Sequence, residues 1–292
     1  MNVAQLEKIR KLAVISLFSD DTLMDMFVLK GGSALNLVYD INSRASIDID
    51  VSMEEDFGEE NMENIKNKLK TSLEKTFAEE GLCIFDVSLS PKPLVISTEK
   101  KDFWGGYVLE FKVIESEKYD NMKNNLDSMR RNAIVVGRKN AKTFKVEISK
   151  YEYCKSKKEV DLEGYTIYVY TPIAIVYEKL RAICQQMEEY TQIVQTNRRP
   201  RARDFYDIYT ILSNYRPPID IVDKDNLYIL ERIFAVKKVP LELIGKIEQT
   251  REFHKDDFFS VKDTIAHDIE DFDYYFDYVV EKTKALQSLW IK

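Results

Sequence analysis

The stretch FVLKGGSALNLVYDINSRASIDIDV, Phe27 to Val51, sets two of the chain's nine glycines side by side and then lays two aspartates on alternate positions of an apolar run. Within it Ile47, Ile49 and Val51 alternate with Ser46, Asp48, Asp50 and Ser52. A period of two predicts a strand, and on a strand Asp48 and Asp50 share one face at roughly 6–7 Å along the axis. Two carboxylates so placed can hold one or two divalent cations. Mg²⁺ is commonly bound by one or two protein carboxylates together with substrate phosphate oxygens. Upstream, MFVLKGG is a short apolar segment ending in glycine, and SALNLVYDI predicts a helix with Ser33 as its N-cap. Glycine lets a phosphate approach the main chain, Ser33 adds a hydroxyl, and a helix N-terminus is electropositive. Turn, helix and acidic strand together describe a nucleoside triphosphate and its metal, whereas each alone reads as a tight turn or a solvated strand face.

Outward from this stretch the first half alternates helices with short strands. Residues 4–18 place Leu6, Ile9, Leu12 (or Ala13) and Ile15 at helical spacing, and residues 61–80 repeat an apolar period among Lys and Glu. CIFDVSLS, YVLEFKVIE, AIVVGRK and TFKVEIS are β-rich runs between polar or glycine breaks. After EGYTIYVYTP the texture changes. Pro172 opens IAIVYEKLRAICQQMEEYTQI, RARDFYDIYTILSNY follows as a second helix, and residues 224–292 keep helical composition. The reading is an α+β chain, with a small mixed sheet and flanking helices in 1–165 and an all-helical part in 166–292 that contributes to the active-site cleft. No Ser/Gly-rich linker separates the two and no repeat is visible.

Composition narrows the function classes. A hydrophobic share of 45% with 32% charged residues is that of a folded chain rather than a disordered one. With 43 Lys and Arg against 50 Asp and Glu, net charge advertises no polyanion partner, although local basic clusters can still bind phosphates. The apolar run Leu12–Phe18 is too short to span a bilayer and no small-residue cleavage site follows it, so a cytoplasmic protein without membrane contact is expected. Three scattered cysteines and two histidines, with no CxxC, argue against zinc.

The spacing of Ser33 and Asp48, fifteen positions apart, resembles the Gly-Ser…Asp-x-Asp layout of nucleotidyltransferases related to DNA polymerase beta, with a slightly long spacer of fourteen residues. LKGGSALNLVYDINSRASIDIDV resembles more closely the opening motif of the AbiEii/AbiGii toxin family: Leu29, Lys30, Gly31, Gly32, Ser33, Ala34, Leu35, Arg44, Ser46, Asp48 and Asp50 all fall on it. The family's second block pairs a Lys early in a helix with an Arg-Asp downstream, and Lys179 with Asp204, Arg203 beside it and Asp207 one turn on, match. A separation of 25 residues suits two antiparallel helices meeting at one cleft.

The resemblance implies a toxin of a toxin–antitoxin or phage abortive-infection pair that transfers a nucleoside monophosphate from an NTP to RNA, with the 3′ end of tRNA as acceptor and Mg²⁺ (or Mn²⁺) as cofactor. Asp48 and Asp50 then bind metal, Gly31, Gly32, Ser33, Arg44 and Ser46 meet the nucleotide phosphates, Lys179 grips the triphosphate, and Asp204 orients or deprotonates. Lysine is suited to the triphosphate as a compact cation, and a nearby carboxylate can hold it or accept a proton. Glu147 in TFKVEIS is preferred to Glu110 in YVLEFKV as a third metal carboxylate, because this fold supplies that acid from the short strand ahead of the helical half. Arg198, Arg199, Arg201 and Arg203 form a basic loop ahead of Asp204 that can contact RNA phosphates. Tyr206, Tyr209, Trp290 and the run Tyr274 to Tyr278 are either core or base-stacking residues. A cognate antitoxin encoded nearby, without direct contact, is implied by the family alone. Two alternatives stay open: transfer to a protein or small-molecule hydroxyl, and nucleotide binding without transfer.

Overall fold

The computed structural model describes residues 3–41, 48–137, 140–195, 197–265 and 267–290. They fall into two compact units, Met1–Val38 with Ile47–Val169, and Tyr39–Ser46 with Tyr170–Lys292. The boundary expected after residue 165 thus falls inside a strand, Tyr165–Tyr170. Among the described residues no helix is long and apolar enough to cross a membrane.

The first unit is built on seven strands, β1 (Val28–Lys30), β2 (Ile49–Ser52), β3 (Leu82–Lys92), β4 (Gly106–Glu115), β5 (Phe144–Ser149), β6 (Lys157–Leu162) and β7 (Tyr165–Tyr170), in the order β3-β4-β5-β2-β1-β7-β6. The sheet is mixed: β2 runs antiparallel to β1 and parallel to β5, while β1 runs parallel to β7. Around it lie α1 (Val3–Phe18), α2 (Asp21–Met26), α3 (Gly31–Leu37), α4 (Met62–Ala78), α5 (Ser116–Met122) and α6 (Leu126–Asn132). Strand alternation sorts the central residues by face. Leu29, Ile49, Val51, Val146, Ile148, Leu109 and Phe111 are buried, and Phe77 of α4 meets Phe111 edge to face at 5.8 Å. The opposite face carries Lys30, Asp50, Glu147, Lys145 and Glu110. Burying the apolar set under α4 therefore leaves the acids on the other side.

Two expectations are corrected here, and one strand carries no signal in the sequence reading. AIVVGRK is not a strand: α6 ends at Asn132, and the described part of the run joins the sheet by an isolated Ile134 N–H to Val113 carbonyl bond of 2.8 Å. Its apolar residues instead help seal α6 against β3 and β4, where Ala133 joins Phe85, Ile114 and Met129 in one cluster. A short apolar run does not reveal by itself whether a ladder or a helix covers it. KKEVDL, by contrast, forms the edge strand β6, which turns into β7 through Glu163 and Gly164, both at positive φ (54° and 85°), the backbone of a tight hairpin. Finally, α3 starts at Gly31, so Ser33 lies within its first turn and is not the N-cap.

The second unit is helical: α7 (Pro172–Cys184), α8 (Glu188–Thr191), α9 (Ala202–Asn214), α10 (Lys224–Ala235), a 3-10 segment Leu241–Thr250, α11 (Arg251–Lys255), α12 (Phe258–Lys262) and α13 (Phe272–Lys284). Phe205 of α9 is its aromatic hub, with ring centroids 5.0 Å from Phe276 and 5.5 Å from Phe272. Buried polar side chains are tied to main-chain carbonyls. Tyr177 donates to Ile221 at 2.8 Å, Arg181 to Ile233 at 3.0 Å and Tyr190 to Lys237 at 2.7 Å.

Candidate functional site

Strand register assembles the first group. Asp50 lies opposite Lys30 on β1 and opposite Glu147 on β5, so three chemistry-bearing residues form a row across adjacent strands on one face. Asp48 is exposed just before β2. Lys30 is nearly buried, and its ammonium donates to Ser149 Oγ at 3.2 Å. Glu147 accepts from Lys92 at 2.5 Å. Glu110 sits on β4, which does not adjoin β2, and pairs with Lys145 at 2.8 Å. The Glu110 bond, with Asp48 and Glu147 adding their charge, holds the Lys145 ammonium above its usual range.

The double glycine answers to this row. Gly31 has φ +63°, and a Cβ placed there would stand 2.9 Å from Asp50 Oδ2. A side chain at position 31 would therefore meet both a left-handed backbone and the carboxylate. Gly31→Ala is expected to lower stability by about 1–2 kcal/mol from the backbone alone. It is also expected to reduce nucleotidyl transfer by about 100-fold through displacement of Asp50. Thermal unfolding measured alongside transfer separates the two effects.

Ser33, expected at the nucleotide phosphates, is tied into the fold on both sides. Its hydroxyl is fully buried, donates to the Asp48 carbonyl at 3.1 Å and accepts from Arg10 Nη2 at 3.3 Å. A hydroxyl has one proton, and here that proton ties the α3 turn to the main chain at Asp48. Arg10 on α1 carries no sequence signal, because only the tertiary fold brings it to the turn. Arg44 and Ser46 lie outside the described residues.

Among the described residues no three His, Cys, Asp or Glu are gathered as a ready metal cluster. The donor set fits a hard cation nonetheless. Asp48 and Asp50 are oxygen donors, and Mg²⁺ needs only one or two protein carboxylates when substrate phosphates and water complete its octahedron. Glu147, held by Lys92, is adjacent to the pair rather than joined to it.

In the second unit Lys179 of α7 donates to Asp204 at 3.1 Å and to Asp207 at 2.6 Å, both on α9. Arg201, the residue capping α9, donates from Nε to Asp204 at 2.5 Å. The members of this lysine cluster are those that match the family's second block, and Asp207, one helical turn beyond Asp204, shares the same lysine. Burial alone would raise the Asp204 carboxyl, but the Arg201 and Lys179 cations override it and hold the pKa down at about 2. His254 of α11, which no sequence motif singles out, accepts the Arg201 main-chain N–H on Nδ1 at 2.9 Å. Burial pushes its pKa down to about 4, against the pull of Asp204 and together with the cations Arg201 and Arg198.

These shifts set an acid limit on stability. The unfolded histidine binds its proton near pH 6.5 and the folded one only near 4, so stability is expected to fall as pH drops through that window, by about 3 kcal/mol for His254. Asp204 is ionised in the fold below its unfolded pKa of 3.8, so its contribution is lost between there and about 2. Urea unfolding at pH 7.5 and pH 4.5 checks the first window; equal midpoints would contradict it.

The basic cluster is not one exposed loop, since α9 begins at Ala202 and takes in Arg203. Arg201 turns inward to Asp204, and Arg198 packs over the Phe253 ring at 4.5 Å while donating to the Gln186 carbonyl. Arg199 is exposed. The aromatic residues divide as well: Tyr206 and Tyr275 are buried, Tyr274 is 48% exposed, and Trp290 lies against Gly245. Tyr206, Tyr209, Asn214, His267, Glu270 and Tyr275 line a cavity of about 390 Å³.

With this geometry in view, comparison with known proteins is informative. No curated protein matches the chain. JHP933 from Helicobacter pylori is similar in structure over 98% of this chain and 92% of its own, at 18% identity and a TM-score of 0.51, a likeness of fold. MenT4, a nucleotidyltransferase toxin of Mycobacterium tuberculosis H37Rv, aligns over 99% of this chain and 84% of its own at 14% identity and a TM-score of 0.46. The family model described as nucleotidyl transferase AbiEii toxin, type IV TA system, matches residues 14–281 and so includes both the acidic row and the lysine cluster. The chain belongs to the AbiEii family of nucleotidyl transferase toxins of type IV toxin–antitoxin systems.

Proposed function

We propose that the chain transfers a nucleoside monophosphate from an NTP to RNA, at the 3′ end of tRNA, in a Mg²⁺- or Mn²⁺-dependent reaction, and acts in the cytoplasm as the toxin of a pair with a cognate antitoxin encoded nearby, in antiviral defence. The observation that carries this reading is the row formed by Asp50 and its register partner Glu147, with Asp48 just ahead and a glycine kept bare beside Asp50. An acceptor hydroxyl oxygen bonds to the α-phosphorus, the bond to the bridging oxygen breaks, pyrophosphate leaves and the hydroxyl proton is released. Such in-line transfer asks mainly for positioning and neutralisation of charge.

Asp48 and Asp50 would hold the cation, which supplies charge neutralisation at the triphosphate. The Gly31-Gly32 main chain gives phosphate oxygens a close approach, and Ser33 and Arg10 keep Asp48 in place. Lys179, ion-paired with two carboxylates, is the cation that the family resemblance assigns to the triphosphate. Asp204, with a pKa of about 2, is a weak base, so orientation suits it better than proton abstraction. Arg199, exposed ahead of α9, is the arginine most available to RNA phosphates. Purified protein incubated with Mg²⁺, total tRNA and each labelled NTP tests the reading. Label on tRNA that disappears with Asp48→Ala supports it; no transfer from any nucleotide, or label on protein with RNA untouched, overturns the RNA assignment.

A further inference from the structure

We infer that His254 is a positioning residue of the transfer site: its Nδ1 accepts the main-chain N–H of Arg201 and so fixes the guanidinium that aligns Asp204 on Lys179. The inference rests on the assignment of Lys179 and Asp204 to the reaction and adds a residue to it.

The contact is specific in both partners. Arg201 is the N-cap residue of α9, and its own side chain does not cap the helix end. Its main-chain N–H points instead at His254 Nδ1, 2.9 Å away, while its own Nε reaches Asp204 Oδ2 at 2.5 Å. Arg201 is thereby held at both ends, by an imidazole behind and a carboxylate ahead. Asp204 then has one oxygen on Arg201 and the other on Lys179. A chain of three hydrogen bonds runs from a fully buried ring to the lysine ammonium.

An accepting Nδ1 requires the neutral ring with its proton on Nε2. That Nε2 is buried and has no hydrogen-bond partner among the described residues. Around the ring lie Phe205 and Phe253, with centroids 5.2 and 5.0 Å away. In such an aromatic setting an apolar side chain of similar size would fill the space without burying an unmatched N–H. The ring's one polar contact is therefore what distinguishes histidine here, and that contact is to the residue that holds Asp204. The charged groups facing it are Asp204, Arg201 and Arg198.

Three variants test it in the full chain. The Asn carboxamide places an oxygen near the position of Nδ1, and Gln places its amide further out, near Nε2. His254→Ala and His254→Gln are expected to lower kcat for nucleotidyl transfer about 10- to 100-fold with KM for the NTP little changed, and His254→Asn to recover most of the loss. ¹⁵N NMR of the wild-type ring, which needs no activity, is expected to show a bare Nδ1 and a protonated Nε2 from pH 5 to 8. Asn no better than Gln at matched thermal stability, or a ring protonated at Nδ1, would overturn the inference. A wild type that transfers nothing while its ring shows the expected tautomer overturns the functional reading and with it the role, though not the contact.

Discussion

Asp50→Asn is expected to leave the fold intact and to lower nucleotidyl transfer by on the order of 10³-fold, the upper range for removing one group that stabilises transition-state charge. Asparagine keeps the shape that fits beside Gly31 and loses only the charge. Asp50 stands opposite Glu147 and beside Asp48, so its carboxylate is central to the row. The proposed Mg²⁺ dependence should shift in the same variant, with a higher concentration needed for half-maximal rate. Single-turnover label transfer with a parallel melting curve is the measurement. A rate within tenfold of wild type at an unchanged melting temperature would remove Asp50 from the chemistry.

Lys179→Met is expected to unfold more easily than wild type by about 3–5 kcal/mol, the range for removing one partner of a buried ion pair. Lys179 and Asp204 are almost wholly buried and Asp207 completely so. The two carboxylates share that ammonium, and Arg201 stays on Asp204 when it is gone. Methionine fills the volume but takes the ammonium away from a carboxylate that has no access to water. Adding Asp207→Asn to Lys179→Met removes that buried charge, and the double variant is expected to regain part of the lost stability. Urea unfolding of the wild type, both single variants and the double measures the coupling; strictly additive losses would mean that the pair does not interact. Transfer by the double variant should stay as low as in Lys179→Met, since stability returns and the cation proposed to meet the triphosphate does not.

The parts of this molecule written in local periodicity are legible in the residues alone. β2 announces itself by alternation, α1 and α4 by their helical stripes, and the Asp48, Asp50 and glycine elements by order and spacing. Lys179 and Asp204 are legible only through the resemblance to the family's second block, with a spacing that suits two helices meeting. What escapes depends on contacts between segments far apart. β6 is a charged edge strand whose apolar alternation is limited to Val160 and Leu162, and pairing with β7 makes it a strand. Arg10 and Lys92 reach Ser33 and Glu147 through the fold, at separations of 23 and 55 residues. Ser33 suits a cap by residue type, yet tertiary structure offers its hydroxyl a stronger claim in the Asp48 carbonyl. His254 is one of two scattered histidines in the sequence, and its partner at a helix end 53 residues away is invisible to spacing.

The grip on Asp48 falls on its carbonyl oxygen, an atom that every amino acid shares. Position 48 is therefore interchangeable in a way that position 33 is not. Glutamate, asparagine or cysteine at 48 would hang from the same fixed peptide, so a series of substituents differing in length, charge and softness can be presented from one anchor. Under the proposed metal role of position 48, such a series amounts to a metal-preference dial: a thiolate there should shift preference from Mg²⁺ toward softer ions such as Cd²⁺, as ligand softness dictates. Alanine at 33, by contrast, releases the peptide itself and would blur every member of the series at once.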